Sequence, residues 1–108
     1  MTDEEFVRSK WSTLNADRGH PGTRLALGVG GVLFRATSEE GEARAWAAAA
    51  EFTRKREREI AEVEEEIAWI SGFSAYAGHR LYGPCRARIL ARLEAALAEL
   101  RRGWRGDQ

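Results

Sequence analysis

The chain has 108 residues with 17 basic and 17 acidic side chains and is formally neutral at pH 7, which argues against a protein that coats nucleic acid through bulk charge. No apolar run approaches the ~18 residues of a membrane span, MTDEEF carries no apolar signal-peptide core, and a single cysteine excludes an internal disulfide. These features predict one domain over residues 1–108, held in a cytoplasm and not in a membrane.

Residues 5–14, EFVRSKWSTL, place Phe6, Val7, Trp11 and Thr13 at intervals that suit a strand, with Val7 and Trp11 on one face. Asn15 to Gly22 is turn chemistry, including His20-Pro21-Gly22. In TRLALGVGGVLFRA, Leu25, Leu27 and Val29 alternate with Arg24, Ala26 and Gly28. Gly30-Gly31 then separates them from Val32, Leu33 and Phe34. Two glycines between apolar runs predict a hairpin, since a tight primed turn needs positive φ at its centre. A dinucleotide fingerprint would need glycine where Leu33 stands, and no lysine followed by serine or threonine completes a phosphate loop. Gly28 marks a bulge or a place where another chain approaches closely. The region 5–36 therefore reads as three short antiparallel strands.

A long helix follows over 38–70. Thr37 with Glu40 three residues on is a capping-box signature, and Glu39, Glu40 and Glu42 suit the positive end of the helix dipole. Steps of three and four give Trp46, Ala49, Thr53, Arg56, Ile60, Val63, Ile67 and Ile70. This seam is apolar at both ends and broken in the middle by Thr53 and Arg56. The alanine-rich half, with Trp46 and Phe52 as anchors, suits the sheet. The half from Ile60 to Ile70 suits a final helix over 84–102, with Ile89, Leu93, Ala96 and Leu100 on one stripe and Leu90 and Leu97 widening it. Pro84 is well placed at the first helical position and Gly103 as the stop. The predicted fold is α+β, a small N-terminal three-stranded antiparallel sheet followed by a long helix and a shorter antiparallel helix.

Between the helices, the loop 71–83 is longer than a helix–helix connection needs. It carries Phe73, Tyr76 and Tyr82 for stacking and His79 and Arg80 as donors. Arg86 and Arg88 follow at a helix start, where free amides and the dipole favour an anion. With Arg56 from the middle of the seam, these residues form the candidate ligand-binding set. Plugging of the core by the aromatic rings, and pairing of the arginines with glutamates, is the competing structural explanation. Arg56 and the loop stand about 24 Å apart along one helix, so they meet only across a partner chain. His79 and Cys85 lack an assignable acid partner, and His20, His79 and Cys85 lack ligand-pair spacing. Neither catalysis nor a metal is predicted, and no cofactor is called for.

Charge is unevenly spread. Residues 39–70 hold five basic against ten acidic side chains, and residues 71–108 hold seven against three. Pairing within or between chains is the expected use of such blocks. Fifteen arginines against two lysines supply planar, bidentate donors. Exposed sheet edges, and a seam too long for one short helix to cover, predict a homo-oligomer.

The segment AWAAAAEFTRKREREIAEVEEEIAWI, with the aromatic, arginine-bearing stretch after it, gives a layout that resembles phage anti-defence proteins that sequester nucleotide signals, the anti-Thoeris sponges of the first type. The resemblance implies an oligomer that binds a cyclic ADP-ribose type of signal, or a cyclic nucleotide, without cleaving it, in the host cytoplasm. A protein-binding inhibitor acting through the acidic face around Glu57–Glu66 is the alternative. Nucleic-acid binding through Arg86, Arg88, Arg92, Arg101, Arg102 and Arg105 is disfavoured by the zero net charge.

Overall fold

A computed structural model describes residues 1–72 and 82–105, with side chains in the latter stretch from Cys85 onward. The elements run α1 (Asp3–Lys10), β1 (Asn15–Asp17), β2 (Leu25–Val29), β3 (Val32–Ala36), α2 (Glu39–Gly72) and α3 (Tyr82–Leu100). The architecture is α+β, with an antiparallel sheet ordered β1-β2-β3 followed by the long and the shorter helix. No described helix is long and apolar enough to cross a membrane. The chain divides into two compact units: residues 1–55 with the segment from Arg102, and the stretch Arg56–Arg101.

The first element departs from expectation: residues 3–10 are helical, and the first strand lies at 15–17, inside the predicted turn. Local end chemistry decides this against the β-propensity of Phe6 and Val7. The Thr2 hydroxyl accepts the Glu5 amide at 3.1 Å, Asp3, Glu4 and Glu5 fill the first turn, and Arg8 pairs with Glu4 at 2.9 Å. Val7 and Trp11 still share a face, since a spacing of four serves a helix as well as a strand. Both are buried.

The hairpin is as predicted. Gly30 and Gly31 have φ of +56° and +83°, Val29 pairs with Val32, and Leu27 pairs with Phe34. Gly28 faces Leu33 in unbroken register, so no bulge occurs there. Leu25, Leu27 and Val29 point inward on alternate positions and are fully buried. They meet Ala45, Trp46, Ala49 and Ala50 of α2, whose small side chains let the helix approach the sheet, and Val7 and Trp11 close the same core. Trp11 stacks on Phe52 at 5.9 Å between centroids and meets Trp104 edge-on at 4.8 Å. Full burial of each large apolar side chain stabilises by about 1.5–3 kcal/mol.

α2 begins one residue later than predicted, at Glu39. Ser38, not Thr37, holds the N-terminus, its hydroxyl accepting the Gly41 amide at 3.0 Å. Along the helix every seam position from Trp46 to Ile70 is buried or half-buried. In the second unit Ile60 is buried on this seam, with Val63, Ile67 and Ile70 half-buried. The stripe on α3 is rotated from expectation: Leu90, Leu93, Leu97 and Leu100 are covered, while Ile89 and Ala96 are exposed. A regular four-three-four-three spacing that begins at Arg86 fixes this face. Gly103 ends the helix region with φ +76°, and a Cβ there would lie 2.3 Å from the Thr13 hydroxyl. Its carbonyl accepts the Ser12 amide at 2.8 Å, which ties the C-terminal segment to the first unit.

Candidate functional site

The two polar breaks in the α2 seam have separate structural uses. Thr53 is fully buried; its hydroxyl accepts the Trp11 indole N–H at 2.9 Å and donates to the Ala49 carbonyl at 2.6 Å. In the second unit, Arg56 donates through Nη1 to the Leu100 carbonyl at 3.0 Å. Leu100 is the last residue of α3, where carbonyls lack intrahelical donors and the dipole is negative, so a guanidinium is doubly suited. Arg101 pairs with Glu64 at 3.0 Å beside it.

Arg86 is the residue that this packing leaves unexplained. It continues the covered stripe of α3 and is half-buried, and its Nε is buried with no hydrogen-bond partner among the described residues. A buried donor on a charged group is costly unless an acceptor meets it. Arg86 also stands in the first turns of α3, near amides that have no intrahelical acceptors. Together these make a local demand for an anionic or carbonyl acceptor.

The predicted ligand set is thereby split. Arg88, two residues on and about 200° round the helix, is exposed. Arg56 serves the far end of α3, fourteen residues from Arg86 and about 21 Å along the axis. Tyr82 lies in the first turn of α3 and not in the preceding loop. Phe73, Tyr76, His79 and Arg80 lie outside the described residues. Cys85 is a free, exposed thiol.

A second feature escaped the sequence reading. Trp69 is 66% exposed and, with Glu62, Glu65 and Glu66, lines a shallow hollow on the outer face of α2. The signal was present in the spacing: 62, 65, 66 and 69 form their own i, i+3, i+4, i+7 row. It was overlooked because the neighbouring Ile70 completes the apolar seam. Among the described residues the two charge blocks pair in part. Arg101–Glu64 is one such bridge, whereas Glu62, Glu65, Glu66, Arg88 and Arg92 form none among the described residues.

Electrostatics in the first unit are structural. Glu42 accepts from Arg24 at 2.8 Å and from Arg18, and these two hydrogen bonds hold its carboxyl below the usual glutamate range. The Gly19 amide, followed by His20, lowers Asp17 in the same way. Compared with protein-family models, with curated proteins and with solved structures, the chain matches none.

Proposed function

We propose that this chain is a non-enzymatic binder that sequesters a small anionic ligand of nucleotide type, acting as a homo-oligomer in the manner of the anti-defence sponges whose layout it resembles. The observation that carries this reading is Arg86, whose buried Nε meets no acceptor among the described residues at the start of α3. A phosphate oxygen would supply that acceptor and gain the adjacent helix amides as well. The test is a melting curve with cyclic ADP-ribose isomers and cyclic nucleotides. Ligand at about 100 times its Kd stabilises by about 2.7 kcal/mol, a rise of many degrees for a chain of this size. Arg86→Ala and Tyr82→Ala should each abolish the rise. No rise across the panel removes the proposal.

Trp69 favours a second reading, an inhibitor module that docks on a host or defence protein through the acidic face. An exposed indole amid three glutamates is suited to a basic partner surface. Reversing Glu62, Glu65 and Glu66 to lysine would then abolish capture of the partner while circular dichroism stays unchanged. Undiminished capture counts against it.

A further inference from the structure

The outer faces of α2 and α3 carry opposite charges that find no counter-ion among the described residues. Glu62, Glu65 and Glu66 lead along one face of α2 to Trp69. On α3, Arg88, Ile89 and Arg92 turn away from the leucine stripe, and Ile89 is 45% exposed. None of these charged groups pairs with another described residue. Each row thus surrounds one large exposed apolar side chain with charge of a single sign, and the signs are complementary.

The placement of the rows goes further. On each helix the charged face is displaced from the seam by roughly 110–130° in the same rotational sense, at about 100° per residue. With α3 antiparallel to α2, as the sequence predicts, equal displacements would fall on the same side of the helix pair. The Arg56–Leu100 and Glu64–Arg101 ties hold the C-terminal end of α3 against the middle of α2. A two-fold axis would lay the basic α3 face of one copy over the acidic α2 face of the other, twice.

We infer that this side of the second unit is the interface with a second copy of the chain. The acidic face of one protomer takes the basic face of its partner, with Trp69 packed on the partner's Ile89. A foreign basic segment would match the glutamates but leave Arg88, Ile89 and Arg92 uncovered; a second copy covers both rows. Zero net charge imposes no long-range repulsion between copies. The inference does not rest on ligand binding, since it is tested on the chain alone.

The experiment is light scattering on two charge-reversed variants, Glu65→Arg/Glu66→Arg and Arg88→Glu/Arg92→Glu. Wild type should weigh as a dimer at micromolar concentration and each variant as a monomer with unchanged helical circular dichroism. Mixing the two variants restores opposite signs at both contacts, so the mixture should return to dimer, with one copy of each by native mass spectrometry. Should a variant lose its helical signal, Trp69→Ser and Ile89→Ser replace it, and each must lower the dimer fraction. A monomeric wild type, which leaves the face to a foreign protein, overturns the inference. So do reversed variants that remain dimers, or a mixture that remains monomeric.

Discussion

The Trp11 indole donates to the Thr53 hydroxyl at 2.9 Å inside the first unit, joining residues 42 positions apart in the chain. The Thr53 hydroxyl donates in turn to the Ala49 carbonyl, so the indole N–H, the hydroxyl and the helix backbone are satisfied together. Thr53→Val keeps the volume and removes the acceptor, leaving the Trp11 N–H buried and unpaired. The expected loss is about 1–3 kcal/mol, whereas Thr53→Ser should lose less. Urea unfolding followed by tryptophan fluorescence measures both, and a valine variant as stable as wild type would show that the hydrogen bond contributes nothing net.

That pair also shows what was legible in the sequence. The seam from Trp46 to Ile70 was readable because a helix repeats its buried face every three to four residues whatever it packs against. Gly30-Gly31 was readable because only a few turns join strands so closely. The uses of Thr53 and Arg56 were not readable, since Trp11 and Leu100 lie far off in sequence and nothing local names them. The first strand was misplaced because Val7 and Trp11 fit periods of two and of nearly four alike, and the Thr2 cap decided between them. On α3, Ile89 drew the predicted stripe one position round, because an isoleucine was assumed to face inward and an arginine outward. Arg86 reverses that assumption, and it carries the proposed site.

The two seam arginines should respond in opposite directions to the same substitution. Arg56→Met removes a charged donor from the last carbonyl of α3 and should destabilise the chain by about 1.5–3 kcal/mol. Arg86→Met replaces a guanidinium whose buried Nε has no partner among the described residues by an apolar chain of similar length. It should leave the ligand-free protein as stable or up to a few kcal/mol more stable. Thermal melts without ligand test the contrast; two equal losses would mean that Arg86 already has its acceptor.

The hairpin glycines differ in a way that a single pair of variants resolves. A Cβ on Gly30 would sit 2.7 Å from Trp11 Cη2 and 2.9 Å from Phe52 Cε1, whereas one on Gly31 meets nothing within 4 Å. Both have positive φ, so both alanine variants carry backbone strain of about 1–2 kcal/mol. Gly30→Ala adds overpacking of a closed aromatic cluster, typically a further 1–3 kcal/mol. Equilibrium unfolding should therefore rank wild type above Gly31→Ala above Gly30→Ala. Equal losses would imply that the Trp11 and Phe52 rings yield without cost.

Glu42 sets the acid limit of the first unit. The arginine hydrogen bonds lower its folded pKa, Arg24 contributing most and Arg18 next, while in the unfolded chain the group returns to the ordinary glutamate range. The unfolded state therefore binds more protons over that interval, and stability falls as pH drops. The contribution is fully present above the unfolded pKa and disappears as the pH falls through the lower folded value. Asp17, lowered by the Gly19 amide and by His20, acts in the same sense. Glu42→Gln should therefore be less stable than wild type at neutral pH, and the two should converge as the pH is taken below the ordinary carboxylate range. Melting temperatures measured from pH 7 down to pH 3 test this, and a gap that stays constant with pH would mean that the Glu42 charge contributes nothing.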